Sequence, residues 1–121
     1  MKKILICEDE ADLRDIMKIG LSKEFQVIEA ENGNMGLEMV AKEKPDLVLL
    51  DIIMPEMDGL AMLQKLRASD MGKDLPVIML TNVAFDDVKV KTLVDLNASS
   101  YVLKSDMKME DLIFKINQAI S

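Results

Sequence analysis

Apolar positions along this chain come in two alternating patterns. Short, nearly continuous apolar runs occupy Ile4 to Cys7, Leu47 to Leu50 and Val77 to Leu80. Runs of that length suit strands buried on both faces of a sheet. Between them, apolar residues recur at helical spacing among charges: Leu13, Ile16, Met17 and Leu21, then Met35, Leu37, Met39 and Val40, then Leu60, Met62, Leu63 and Leu66, and finally Leu112, Ile113, Ile116, Ala119 and Ile120. The spacing predicts helices over about 11–23, from Met35 to before Pro45, from after Gly59 to about Ala68, from about Asp86 to Leu96, and a final one marked by Leu112 to Ile120. Phe25 to Ala30 and Ser99 to Leu103 read as two further strands, the first polar enough to be an edge. Asn32-Gly33 punctuates the strand that ends at Ala30, and Pro45 breaks the second helix. Asn97, a residue type that tolerates the left-handed region, is expected to end the fourth helix.

Five strand–helix alternations with short links predict an α/β fold of the (βα)5 type. Such a chain forms a doubly wound, five-stranded parallel sheet with right-handed crossovers. The flavodoxin-like strand order 2-1-3-4-5 is expected, with ligands binding beyond the carboxyl ends of the strands, where strands one and three meet. One domain spanning 1–121 accounts for the length, and no second domain is expected.

Composition narrows the chemistry. Half the residues are apolar but only 3% are aromatic, so 11 methionines help fill an aliphatic core. A net charge of −7 argues against non-specific binding to nucleic acid or to an anionic membrane. No apolar run approaches membrane-spanning length, and the N-terminus lacks a signal-peptide pattern, so a cytoplasmic protein is expected. A lone cysteine, Cys7, makes no internal disulfide. The absence of histidine removes His triads, His general bases and His-ligated zinc. Acid–base or metal chemistry must rest on carboxylates and hydroxyls.

The unusual polar residues all stand at predicted strand ends. Strand one ends in Glu8 and Asp9, strand three in Asp51, strand four in Thr81 and strand five in Lys104. Each has an ordinary explanation alone. Glu8 to Glu10 favour a helix N-terminus; Asp51 is a turn or cap residue; Thr81 is an N-cap; Lys104 is solvated surface. In a parallel sheet, however, all five share one edge. Three carboxylates there raise one another's pKa unless a cation is present. A hard divalent ion with oxygen ligands resolves the crowding, and Mg²⁺ is the natural choice where phosphate completes the shell, with Mn²⁺ as the substitute. Asp51 then reads as a nucleophile forming an aspartyl phosphate, with Lys104 and the Thr81 hydroxyl holding phosphoryl oxygens. Such chemistry needs positioning and charge neutralisation more than a strong base.

The segments ILICEDE, PDLVLLDIIMPEMDG, LPVIMLT and SYVLK, in this order and spacing, carry a resemblance. The chain resembles the receiver domain of two-component response regulators, of the stand-alone chemotaxis type, over essentially its whole length. The resemblance implies that a sensor histidine kinase, a phosphotransfer protein or a small phosphodonor phosphorylates Asp51. It implies Mg²⁺ held by Asp9, Asp51 and the main-chain carbonyl of Ile53, with Glu8 in the other acidic position. It implies a Thr81–Tyr101 switch, in which Tyr101 turns inward, and an output protein at the face of helix four, strand five and helix five. The domain would catalyse its own phosphotransfer and dephosphorylation, without being an enzyme toward other substrates.

Three positions depart from the family pattern. Glu8 stands where Asp is frequent, Asn82 follows Thr81 where a small residue is common, and Ser105 follows Lys104 where a cis-bonded proline is usual. A trans bond is expected before Ser105, since a cis bond there costs about 3–4 kcal/mol. Asn82 is expected to affect access to the phosphoryl group. These departures also motivate the alternative of a receiver-like interaction module that does not switch by phosphorylation. An aspartate-nucleophile phosphatase is disfavoured, because Ile53 stands where a second Asp is needed. A flavin site is disfavoured by the lack of a phosphate loop after strand one.

Overall fold

The computed structural model describes residues 1–82 and 87–121, the side chains of 87–90 and Asp106 aside. Five parallel strands, β1 (Lys3–Cys7), β2 (Gln26–Ala30), β3 (Leu47–Asp51), β4 (Val77–Thr81) and β5 (Ser100–Leu103), pair in the order β2-β1-β3-β4-β5. The helices are α1 (Ala11–Leu21), α2 (Gly33–Glu43), α3 (Gly59–Arg67), α4 (Asp87–Asp95) and α5 (Met109–Ile120). The doubly wound sheet and its strand order are those expected. The expected start of the fourth helix at Asp86 lies outside the described residues. The three central strands are the three continuous apolar runs, and β2, with its exposed and half-buried positions, is an edge.

Alternation along the strands divides the core in two. Leu5, Cys7, Val48, Leu50, Val77 and Met79 face the cluster completed by α2 and α3. Ile4, Ile6, Leu47, Leu49, Ile78 and Leu80 face the one completed by α1 and α5. Successive side chains on a strand point to opposite faces, so a strand buried on both reads as an unbroken apolar run.

The helix ends follow local chemistry. The Asn32 carboxamide oxygen accepts from the Met35 N–H at 2.8 Å, and the Asp58 carboxylate from the Ala61 N–H at 2.8 Å, so each satisfies an orphan donor at a helix start. Asn97 takes the left-handed conformation expected of it, at φ 56°. No peptide bond is cis among the described residues, so the Lys104–Ser105 bond is trans, as the cost argument required. Lys104 to Asp106 form a single 3-10 turn between β5 and α5.

Arg67, at the end of α3, has no counterpart among the sequence expectations. Its guanidinium donates to the carbonyls of Leu96 (2.7 Å), Gly72 (2.6 Å), Leu75 (2.7 Å) and Asn97 (3.1 Å). One side chain thereby ties α3 to the loop before β4 and to the C-terminal end of α4.

Candidate functional site

Register brings the polar strand ends together. Cys7 pairs with Leu50, and Asp51 pairs with Leu80. Glu8 therefore leaves β1 at the level where Asp51 closes β3. Thr81 pairs with Leu103, which puts Lys104 one residue beyond Thr81 on the neighbouring strand. The carboxyl edge of the sheet thus gathers Glu8, Asp9, Asp51, Thr81 and Lys104, as the strand-end pattern predicts.

Two of the acids and the threonine are inside the protein: Glu8 is 0%, Asp51 3% and Thr81 2% exposed. Asp9 is exposed. Carboxylate oxygens of Glu8, Asp9 and Asp51 lie within 4.8 Å of one another. Lys104 is not solvated surface. Its ammonium is 3.0 Å from Asp51 Oδ2 and 2.8 Å from Glu8 Oε2, with its side chain 6% exposed. The Ile53 N–H donates to Asp51 Oδ1 at 3.3 Å, while the Ile53 side chain points outward at 67% exposure. Tyr101 is 44% exposed, and Asn82 is exposed beside Thr81.

Burial sets the protonation balance. It pushes Asp51 above its usual range, opposed by Lys104 and the Ile53 N–H, with Asp9 adding repulsion. It pushes Glu8 from 4.5 to about 7, opposed by Lys104 and aided by Asp51. For Lys104, burial pulls downward, but hydrogen bonds to Glu8 and Asp51 outweigh it and hold the ammonium above its ordinary pKa.

A carboxyl that holds its proton more tightly folded than unfolded stabilises the fold at low pH. For Glu8 that contribution is complete below 4.5 and is lost as the pH rises through about 7. In chelator, the thermal midpoint should therefore be higher at about pH 5.5 than at about pH 7.5. A midpoint that rises with pH across this window would contradict the burial of Glu8. Divalent cation binding should run the other way, strengthening with pH as the same proton leaves.

The turn after Asp51 shapes the edge. Ile52 and Met54 are buried, the Met57 N–H donates to the Pro55 carbonyl at 2.7 Å, and Glu56 adopts a left-handed φ of 68°. The Gly59 N–H closes the loop onto the Ile52 carbonyl at 2.7 Å. A Cβ at Gly59 would overlap the Asp51 carbonyl oxygen. Glycine at this position lets α3 start directly against the strand that carries Asp51.

Arg14, half-buried on α1, also serves the site without having been expected to. It donates to the Glu8 carbonyl at 2.7 Å, while the Glu8 N–H donates to the Ala30 carbonyl at 3.1 Å. Both main-chain groups of Glu8 are thereby held. An arginine among the charges of a helix face carries no sequence signal for this contact.

An acidic cluster capable of holding a metal, with a buried lysine beside it, at the carboxyl edge of a 2-1-3-4-5 sheet defines a doubly wound domain with a polar switch-point site. Residues 4–117 match the response regulator receiver domain, and the chain belongs to that family, the receivers of two-component response regulators. Two relatives are longer proteins whose names describe transcriptional regulators. The chain is 34% identical over 104 residues to the phosphate regulon transcriptional regulatory protein PhoB of Pseudomonas aeruginosa, covering 85% of this chain and 45% of that protein. It is 40% identical over 105 residues to the probable transcriptional regulator ycf27 of Porphyridium aerugineum, covering 85% and 42%. The chain spans less than half the length of these relatives. Among solved structures, a CheY-like response regulator receiver domain protein of Methanospirillum hungatei superposes with a TM-score of 0.90 at 27% identity, covering 99% of this chain and 94% of that one. No helix among the described residues is long and apolar enough to cross a membrane.

Proposed function

We propose that this receiver domain is a phospho-acceptor switch in which Asp51 takes up a phosphoryl group in a Mg²⁺-dependent reaction. The observation that carries the reading is the Lys104 ammonium 3.0 Å from the Asp51 carboxylate, beside acids whose oxygens lie within 4.8 Å. The donor set fits a hard cation: every side-chain ligand is a carboxylate, and Asp9 is open to solvent. Asp9, Asp51 and the Ile53 carbonyl would hold Mg²⁺, or Mn²⁺ in its place, with Glu8 the remaining acid in reach. The ion supplies neutralisation of charge on the transferring group.

The chain's own residues do the rest. An Asp51 carboxylate oxygen attacks phosphorus, and the bond from phosphorus to the donor's nitrogen or oxygen breaks, its electron pair leaving with the donor. Lys104 balances negative charge on the phosphoryl oxygens, and the Thr81 hydroxyl donates to one of them. Tyr101 then turns inward, and the face of α4, β5 and α5 changes its affinity for an output protein. The donor is a sensor histidine kinase, a phosphotransfer protein or a small phosphodonor in the cytoplasm. Water attack on the aspartyl phosphate returns the resting state.

Incubation with a small phosphodonor should add one phosphoryl group by intact mass in Mg²⁺ and none in chelator. A mass unchanged under both conditions would sink the proposal. Asn82 is exposed beside Thr81 and screens the phosphoryl group from water. Asn82→Ala is expected to speed phosphoryl loss about three- to tenfold, as followed by the decay of the phosphorylated mass. Unchanged decay would remove Asn82 from the timing of the switch.

A further inference from the structure

The loop between β3 and α3 holds an uncommon backbone turn. Glu56, a non-glycine residue, sits at a left-handed φ of 68°, and the Met57 N–H folds back on the Pro55 carbonyl at 2.7 Å. A residue held this way persists only where its surroundings over-determine it. One surrounding group is the Gly59 N–H, which fixes the far end of the loop to the Ile52 carbonyl at 2.7 Å. The other is the start of α2. Gly33, its first residue, is buried, and a Cβ there would lie 2.9 Å from the Met57 carbonyl oxygen and 3.0 Å from the Met57 Cβ. Gly33 has no left-handed φ, so its own backbone does not call for glycine; the close approach of Met57 does. The turn that presents Gly33 is itself firm. The Asn32 carboxamide oxygen accepts from the Met35 N–H at 2.8 Å, and the Asn32 carbonyl from the Gly36 N–H at 2.9 Å.

We infer that Gly33 is a positioning residue for the Asp51 edge. The start of α2 is a seat on which Met57 rests, and the seat sets the place of the loop that carries Ile53. A side chain at Gly33 would push on the Met57 main chain, and that push has few outlets. Ile52 and Met54 are buried, and Gly59 pins the far end. Ile53 is the least restrained residue between them: its side chain lies outside, and its N–H meets Asp51 Oδ1 at a long 3.3 Å. Displacement therefore reaches the residue whose carbonyl would face the cation. Coupling of this kind runs both ways, so a change in the loop is felt at the first turn of α2. The effect on the cation rests on reading the Asp51 edge as a Mg²⁺ site; the seat itself belongs to the metal-free chain.

Amide exchange followed by NMR in chelator, with Mg²⁺ affinity by calorimetry and stability by urea unfolding, tests the seat. Gly33→Ala should speed exchange of the Met57 and Gly59 amides about tenfold, the scale of one weakened hydrogen bond. It should also weaken Mg²⁺ about tenfold, as changes to groups that orient a ligand do. Gly36→Ala is the control on the same helix. Its Cβ would lie 2.7 Å from Cys7 Sγ and 2.8 Å from Met62 Cε, so it strains the core and not the loop. It should lower the urea midpoint and leave Mg²⁺ affinity within about twofold. Met57→Ala reads the contact from the other side. It should speed exchange of the Met35 and Gly36 amides about threefold. The Lys44 amide, bonded to the Val40 carbonyl at 3.1 Å at the far end of α2, should keep its parental rate. Parental exchange of the loop amides in Gly33→Ala, or equal weakening of Mg²⁺ in the two glycine variants, would overturn the inference. If the parent binds no Mg²⁺, the metal reading falls, and the amide rates alone decide the seat. If Gly33→Ala does not fold, Met57→Ala decides it, with parental rates at Met35 and Gly36 counting against.

Discussion

An Asp51→Asn protein is expected to gain no phosphoryl group from a small phosphodonor, yet to resist denaturant better than the parent when metal is absent. The first half follows from chemistry: a carboxamide oxygen is a poor nucleophile toward phosphorus and yields no stable acyl phosphate. The second half follows from burial. Asp51 is 3% exposed and its pKa is raised, first by burial, so its charge costs folding energy at neutral pH. Removing one partner of a buried ion pair usually destabilises, because the other charge is stranded. Here Lys104 retains Glu8 at 2.8 Å, so the remaining pair is balanced one to one. The expected gain is about 1–2 kcal/mol in chelator, shrinking when Mg²⁺ restores the balance in the parent. Urea unfolding with and without Mg²⁺, alongside intact mass after phosphodonor treatment, checks both halves. Retained phosphorylation in Asp51→Asn would move the acceptor elsewhere. A large loss of stability would mean that Glu8 does not hold Lys104 alone.

Gly59→Ala is expected to be the most damaging single methyl in the chain. The added Cβ would overlap the Asp51 carbonyl oxygen and lie 2.9 Å from the Ile52 Cα. Backbone on a central strand has nowhere to go, so either α3 moves off the sheet or Asp51 shifts with its strand end. The cost should be about 3 kcal/mol, at the upper end for overpacking. Phosphoryl uptake should fall with it, since the atoms displaced belong to Asp51, the proposed acceptor. Gly20 offers the contrast. A Cβ there would come within 2.7 Å of Met109, but of its flexible side chain, which can swing aside. Equal losses in Gly59→Ala and Gly20→Ala, measured by urea unfolding, would refute the distinction.

The fold was readable because its signals are local and repeated. The uninterrupted run from Leu47 to Leu50 can hardly be anything but a strand covered on both faces, and all four residues are 0% exposed. Asn97 marked a helix end through its backbone preference, whereas Asn32, expected only to close the strand before it, caps the helix that follows. The site was readable because a parallel sheet puts strand ends on one edge, so Asp51 and Lys104 meet although 53 residues separate them. What stayed out of reach were side-chain trajectories. Nothing at Lys104 says that a residue 96 positions away will present both oxygens to it. Arg67 is likewise silent in the sequence, because its four acceptors are main-chain carbonyls, and any residue supplies one. Contacts to the backbone leave no mark on the partner's identity.

Those four bonds also bear on how α4 can travel. Arg67 grips the carbonyls of Leu96 and Asn97, just past the last helical residue, Asp95. Parallel crossover geometry puts the other end of α4, at Asp87, on the Asp51 side of the sheet. Any rearrangement that keeps the grip must swing the helix about its far end. A nine-residue helix is then a lever arm of about 13 Å, with a fulcrum at Arg67. Displacement would be greatest beside the Asp51 carboxylate and would vanish toward the opposite rim.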